Sequence, residues 1–220
     1  MIITIDGPAG SGKSTAAREL AKALGVAFLD TGATYRAATL LALRRGTDLQ
    51  DSAALAAMAR RARIEIIPDD AGCRVMLDGQ DVTAEVRSVA VTENAHYLAD
   101  SPPVREVLVE LQRRLGRRLG SFVAEGRDQG SVVFPQADVK FYLTASPAVR
   151  ARRRWLELHA AGQDAPEDQV LGDILQRDRR DSSRPVAPLV KPPDAIEIDS
   201  SDMDIAQVTA ALIAHLEGRR

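Results

Sequence analysis

The segment Gly7-Pro8-Ala9-Gly10-Ser11-Gly12-Lys13-Ser14-Thr15 decides the fold of this 220-residue chain. It follows a β-branched run at residues 2–5 and precedes a helical pattern from Ser14 to Leu24. In this G-x-x-x-x-G-K-S spacing, glycines let successive backbone N–H groups turn toward a phosphate. The N-terminus of the following helix adds its partial positive charge. The order strand, loop, helix therefore predicts a nucleoside triphosphate site at residues 7–15.

Two side chains of this loop have predicted roles of their own. Lys13 is placed to reach the β- and γ-phosphates, and the Ser14 hydroxyl is placed to bind Mg²⁺. Lysine is scarce here, since the 29 basic residues comprise only 4 Lys and 25 Arg. Because arginine is abundant in this chain, an arginine cluster is weaker evidence of a functional site. Because lysine is scarce, the lysine at position 13 is stronger evidence of one.

Composition and charge exclude several classes of protein. With 45% hydrophobic and 27% charged residues, the chain can bury a core. This composition excludes a disordered protein, a collagen-like protein and a coiled coil. A net charge of -2 gives no global attraction to nucleic acid or to an anionic membrane. The single cysteine, Cys73, allows no internal disulfide and no thiolate metal site. No apolar run spans a bilayer and residues 1–6 do not read as a signal peptide, so we expect a cytoplasmic protein.

The rest of the chain alternates short strands with longer helices, which is typical of βαβ units and a parallel sheet. Predicted strands lie at residues 2–5, 26–29, 122–124, 139–143 and 195–198, and predicted helices include 14–24, 34–45, 52–63, 104–119 and 204–216. Residues 63–89 differ, because 64–67 and 74–77 alternate or run apolar and a tight Asp78-Gly79 turn follows. We expect one α/β domain with a small β-containing insert.

The kind of phosphate-loop protein is narrowed by what surrounds the loop. The chain has no N-K-x-D run, which GTPases use to read guanine, and no strand that ends in an Asp-Glu pair, as in many motor ATPases. Many arginines follow the core instead. Arginine forks match phosphate oxygens and stabilise transferring charge, so we expect phosphoryl transfer to a second small substrate.

Further blocks make a family resemblance specific. They are Leu29–Arg36 (L-D-T-G-A-T-Y-R), Leu77–Thr83 in the insert, Pro103–Glu106, Gly126–Gly130 (G-R-D-Q-G) and Arg177–Arg184 (R-D-R-R-D-S-S-R). With the phosphate loop, these blocks run in order over almost the whole chain. The chain resembles the bacterial cytidylate kinases, within the nucleoside monophosphate kinase superfamily of P-loop proteins.

The resemblance implies an activity and an organisation. The implied reaction converts ATP and CMP or dCMP to ADP and CDP or dCDP with Mg²⁺, in a protein expected to be a monomer. The implied fold is a five-stranded parallel sheet flanked by helices. It would comprise a core (1–31, 103–149 and 185–220), a nucleoside monophosphate-binding region (32–102, with the insert at about 63–89) and a helical lid (about 150–184).

The resemblance also assigns residues. It places Arg36 and Arg127 on the CMP phosphate, Thr31, Arg105 and Asp128 at cytosine, Asp181 on the ribose hydroxyls, and Arg154, Arg177 and Arg184 near the transferred phosphoryl group, with Arg184 also toward CMP. Which of Arg150, Arg152, Arg153 and Arg154 reaches the phosphates stays open. An Asp and an Arg suit cytosine chemically, because Asp accepts from N4 and Arg donates to N3 and O2. His96 replaces a small hydroxyl residue that is frequent near the base in the family.

Two other functions stay open from the sequence. A sister kinase would act on UMP, AMP or shikimate, although the insert and the G-R-D-x-G block argue against AMP and shikimate. A regulatory ATPase or nucleotide switch would have a phosphate loop but no small-molecule acceptor, and would hydrolyse ATP slowly whether or not a monophosphate is present.

We expect Lys13→Ala to lower kcat by at least about 10²-fold, because it removes a preorganised charge from the β- and γ-phosphates. The variant should stay folded, as far-UV circular dichroism can check. Near wild-type turnover in a folded variant would contradict the phosphate-loop assignment.

Overall fold

A computed structural model describes residues 1–69, 72–160 and 162–218. The strands are β1 (Ile2–Asp6), β2 (Ala27–Asp30), β3 (Ile64–Asp69), β4 (Gly72–Leu77), β5 (Gln80–Asp81), β6 (Phe122–Gly126), β7 (Val139–Thr144) and β8 (Ile196–Asp199). The α-helices are α1 (Lys13–Leu24), α2 (Thr31–Arg45), α3 (Ser52–Arg61), α4 (Val89–Ala99), α5 (Pro102–Leu119), α6 (Pro147–Ala160), α7 (Glu167–Ser183) and α8 (Ile205–Glu217).

The main sheet has five parallel strands in the order β2-β6-β1-β7-β8. This confirms the α/β class and the five-stranded parallel sheet predicted from the sequence. Strand β1 lies at the centre, and residues 3–6 of it are buried, as expected for a strand covered by helices on both faces. Because the strands are parallel, all their carboxyl ends meet at one edge, where ligands bind in open α/β sheets.

The insert forms a separate three-stranded antiparallel sheet, β3-β4-β5. Its second turn is the predicted one, since Asp78 and Gly79 both have positive φ, of 49° and 86°. The predicted first turn, 68–72, includes residues 70 and 71, which lie outside the described residues.

Helix α5 begins at Pro102, two residues before its predicted start. Two further predicted helix boundaries were wrong. Helix α2 begins at Thr31 rather than Thr34, because the Asp30 side chain accepts a hydrogen bond from the Ala33 N–H (2.9 Å) and caps the first turn. Helix α3 ends at Arg61 rather than Arg63, because the chain turns extended at Ala62 to enter the insert. Neither change moves a strand of the main sheet.

The apolar core lies mainly between this sheet and its helices, but α6 and α7 have a smaller cluster of their own. It contains Ala151, Val170 and Ile174, with Trp155 and Leu158 packed against it. In the described part of the chain, no helix is long and apolar enough to cross a membrane.

At the end of β1, the first residue of the phosphate loop lies close to the backbone of β7. Gly7 has φ +151°, and a Cβ placed there would lie 2.0 Å from the carbonyl oxygen of Leu143 in β7. Gly12 has φ +85°, but a Cβ there would meet no atom within 4 Å. Only the first of these glycines is therefore required by space as well as by backbone conformation.

We expect Gly12→Ala to cost about 1–2 kcal/mol through its left-handed conformation alone. Gly7→Ala should destabilise the protein by at least about 1 kcal/mol more, because a backbone carbonyl cannot rotate away from the added methyl group. Urea unfolding of the two variants checks this. Equal losses would contradict the close approach of Gly7 to β7.

Candidate active site

The candidate site lies at the carboxyl edge of the main sheet. The phosphate loop follows β1 there, Thr31 follows β2, and Arg127 and Asp128 follow β6. The sequence-predicted residues of the loop, of the G-R-D-Q-G block and of the L-D-T-G-A-T-Y-R block thus reach the same edge, as parallel strand order requires.

Lys13 lies back across the phosphate loop. Its side chain is buried, and Nζ donates a hydrogen bond to the Pro8 carbonyl oxygen at 2.7 Å. Burial lowers the pKa of Lys13, and repulsion from the Arg127 guanidinium lowers it further. A phosphate bound in the loop would bring negative charge to this ammonium group and favour its charged form.

Glu125 is a site residue that sequence reasoning missed. It is buried near the end of β6, and Ser14 Oγ donates to its Oε1 at 2.9 Å. Burial, and then the nearby Asp30 carboxylate, raise the pKa of Glu125. Its position directly before G-R-D at a strand end was the available signal.

The pair Ser14 and Glu125 fits a magnesium ion by donor type. Mg²⁺ prefers oxygen ligands and is commonly held by one or two carboxylates together with substrate phosphates and water. Among residues 1–69, 72–160 and 162–218, no group of three or more His, Cys, Asp or Glu is arranged to hold a metal.

Asp6 holds the loop that follows β6. Its two carboxylate oxygens accept the N–H groups of Gln129 (2.9 Å) and Gly130 (2.7 Å), where residues 129–133 form a π-helical turn. Burial raises the pKa of Asp6 to about 6, although these two hydrogen bonds act in the opposite direction. This contact anchors the backbone immediately after Asp128.

Arg105 and Asp128, both predicted at cytosine, are brought together as a buried ion pair. The Arg105 guanidinium carbon lies 5.9 Å from the centre of the Tyr35 ring. Thr31 is also buried, but its hydroxyl donates to the Glu125 carbonyl oxygen at 2.7 Å, so only its lone pairs remain to accept from a ligand.

The residues predicted at the CMP phosphate and ribose also form pairs. Arg127 Nε lies 2.8 Å from Asp181 Oδ2, and Arg36 Nη2 lies 2.7 Å from Asp30 Oδ2. Arg177 keeps an exposed surface, yet loss of hydration, and then repulsion from Arg127, lower the pKa of its guanidinium to about 10. Crowded positive charge of this kind is typical of a site that receives phosphates.

The remaining arginines of the predicted lid point to different partners. Arg184 Nη2 donates to the Ala187 carbonyl oxygen at 2.8 Å. Arg154 is exposed and pairs with Glu157 at 3.1 Å, although its charge also acts on Arg177. Arg150 is buried beside the phosphate loop, while Arg152 pairs with Glu167 and Arg153 bonds to Ser200.

Comparison with known proteins decides the family. A family model described as cytidylate kinase matches residues 3–218. The chain belongs to the cytidylate kinase family. It is therefore a phosphotransferase that uses ATP to phosphorylate CMP.

Named relatives agree over most of the chain. A cytidylate kinase from Pelotomaculum thermopropionicum is 48% identical over 99% of this chain and 97% of its own length. A bifunctional pantoate ligase/cytidylate kinase from Trichormus variabilis is 44% identical over 99% of this chain, which spans 41% of that protein. A crystal structure of an uncharacterized protein from Eubacterium ventriosum, 12% identical, shares the fold with a TM-score of 0.53 over 99% of this chain and 98% of its own.

The raised pKa of Glu125 generates a prediction about stability. Because the folded protein holds this proton more tightly than the unfolded chain, the contribution of Glu125 to stability falls as pH rises from its unfolded pKa through the folded one. Glu125→Gln removes that loss, so its advantage in urea midpoint over the wild type should grow between pH 5 and pH 8.

The same variant should lose activity, because the carboxylate that accepts from Ser14 in the phosphate loop is gone. The exposed Glu19→Gln on α1 is the matched control and should change neither property. A difference in urea midpoint that stays constant or moves in favour of the wild type between pH 5 and pH 8 would contradict the direction given for this pKa.

Proposed function

We propose that the chain transfers the γ-phosphoryl group of ATP, bound at residues 7–15, in line to CMP or dCMP, and that Ser14 and Glu125 would hold Mg²⁺. The observation that carries this proposal is the buried Arg105–Asp128 pair at the same edge of the sheet as the phosphate loop. It offers an acceptor and donors to one base edge, close to where the phosphates bind.

The transfer needs positioning and charge rather than a base. The phosphate of CMP has a second pKa of about 6, so at neutral pH it is mostly dianionic and can attack directly. Lys13, Arg127, Arg154, Arg177 and Arg184 are the proposed stabilisers of charge on the transferring group, with Mg²⁺ acting as Lewis acid when bound. The lowered pKa of Lys13 supports this, because burial, and then repulsion from Arg127, disfavour its charged form until a phosphate brings negative charge.

Substrate binding would exchange partners at the edge of the sheet. Arg127 would turn from Asp181 to the CMP phosphate, joined by Arg36 and Arg184, and Asp181 would accept from the ribose hydroxyls. Before substrate binds, Arg127 and Asp181 would thus neutralise each other, so neither buried charge is left unpaired. When substrate binds, the phosphate would replace Asp181 as the partner of Arg127, and the ribose hydroxyls would replace Arg127 as the partner of Asp181.

We further propose the division into core, monophosphate-binding region (32–102) and lid (about 150–184), a monomeric state and a cytoplasmic location. The separate apolar cluster of α6 and α7 supports a lid that moves as a body. Closure over both nucleotides would exclude water and bring Arg177 and Arg184 to the phosphoryl group.

Base selection gives a sharp prediction. Asp128 would accept from cytosine N4–H₂ and Arg105 would donate to N3 and O2, whereas UMP presents an acceptor at position 4 and a donor at N3. A mismatched buried polar pair costs about 1–3 kcal/mol, so kcat/KM should favour CMP over UMP at least about tenfold. Asp128→Asn should narrow that preference and change the KM for ATP much less.

ADP production from Mg-ATP against CMP, dCMP, UMP, AMP and shikimate measures this. Wild-type use of UMP equal to CMP, or an equal loss with both in Asp128→Asn, would overturn this account of base selection while leaving the kinase assignment. Slow ADP release that no acceptor accelerates would favour a regulatory ATPase.

The lid gives a second prediction. Cleavage by a broad-specificity protease within 162–168, between α6 and α7, should slow when ATP and CMP, or a bisubstrate analogue, are bound. ATP alone is the comparison, since closure should need both nucleotides. An unchanged cleavage rate would indicate a lid that does not move.

A further inference from the structure

Arg150, in the first turn of α6, lies outside the residues assigned to substrate, yet it is one of the most buried charges of the protein, with 3% of its surface exposed. Its Nε donates to the Ala145 carbonyl oxygen at 2.9 Å, and Nη1 donates to the Ala9 carbonyl oxygen of the phosphate loop at 3.1 Å. Both terminal nitrogens also donate to the Asp178 carboxylate, at 3.0 and 2.6 Å.

One guanidinium group therefore joins three parts of the site: the end of β7, the phosphate loop and helix α7. The backbone of the loop is close to Arg150 as well, because a Cβ on Gly10 would lie 3.1 Å from Arg150 Cβ. A two-point Arg–carboxylate contact fixes orientation as well as distance. At Asp178, α7 is thus held against the phosphate loop by a contact of defined geometry.

Helix α7 is tied to the core at two points one turn apart. Asp178 binds Arg150 and Asp181 binds Arg127, and these acids share one face of the helix at a spacing of three residues. The proposed binding of CMP would affect the Arg127–Asp181 contact differently from the Arg150–Asp178 contact. Arg127 and Asp181 are both proposed to bind CMP, whereas the contacts of Arg150 and Asp178 are with the protein: the Ala145 and Ala9 carbonyl oxygens and each other.

We propose that the Arg150–Asp178 pair is a positioning device, a pivot that holds α7 on the phosphate loop while the Arg127–Asp181 contact changes, and thereby places Arg177 at the transferred phosphoryl group. Arg177 precedes Asp178 directly in the chain. The inference rests on the proposed function, in which Arg177 stabilises transferring charge.

Two substitutions of Asp178 separate geometry from charge. Asp178→Asn keeps the size of the side chain and removes its charge. Asp178→Glu keeps the charge that a buried guanidinium requires, but pushes α7 away by one methylene group. Since a misplacement of about 1 Å can cost 10²-fold in rate, both should lower kcat by about tenfold or more. The KM for ATP should stay within about twofold of the wild type.

The test is a double-mutant cycle with Arg177→Ala, measured as single-turnover rates at saturating Mg-ATP and CMP. If Asp178 acts through Arg177, neither Asp178 substitution lowers the rate further in the Arg177→Ala background. Asp173→Asn, an exposed position on the same helix, is the matched control and should leave the rate unchanged in both backgrounds.

The outcomes are distinguishable. Losses for Asp178→Glu that are equal in both backgrounds, or no loss in kcat at a preserved melting temperature, overturn the positioning role. Should Asp178→Asn not fold, Asp178→Glu carries the cycle alone, because it retains the buried ion pair. If Arg177→Ala by itself turns over at the wild-type rate, the proposed function of Arg177 fails first, and the inference fails with it.

Discussion

Every buried charge at the carboxyl edge of the sheet must find a partner within the protein when no nucleotide is bound. Removing a charged group from water costs several kcal/mol unless it is paired and hydrogen-bonded. Asp6 meets this constraint with two backbone N–H groups, Lys13 with a carbonyl oxygen, and Arg105 and Arg150 with carboxylates. The groups that would recognise substrate are therefore also groups that hold the ligand-free site together.

This constraint shapes what binding costs. A substrate that replaces an internal partner gains only the difference between the old contact and the new one, so affinity depends on geometry more than on the number of charges. The Arg127–Asp181 pair illustrates the point, since a phosphate dianion offers Arg127 more charge than a carboxylate does.

The sequence predicted the sheet because its evidence is local: a strand, a glycine-rich loop and a helix within 24 residues, then strands and helices in alternation. The ion pairs of the site could not be predicted in this way, because their members are far apart in the sequence. Arg105 and Asp128 are 23 positions apart, and Arg127 and Asp181 are 54 apart. For Glu125 the sequence offered only its place at a strand end, because its contact with Ser14 spans 111 positions.

The arginines of α6 show the same limit at short range. Residues 150, 152, 153 and 154 are adjacent in sequence, but a helix turns by about 100° per residue, so their side chains diverge. Arg150 enters the interior, Arg153 reaches Ser200, and Arg154 stays at the surface with Glu157. Adjacency in the chain therefore said little about which of them adjoins the phosphate loop.

The small cluster of Ala151, Val170 and Ile174 between α6 and α7 has a consequence for how this protein can vary. Because these helices bury apolar surface mainly against each other, a change of volume on one can be compensated on the other without disturbing the sheet. Sequence drift in the helical pair can then alter the pace of catalysis while the thermal stability of the nucleotide-binding core stays as it was. The α6–α7 pair and the core of the enzyme can, in this sense, change independently.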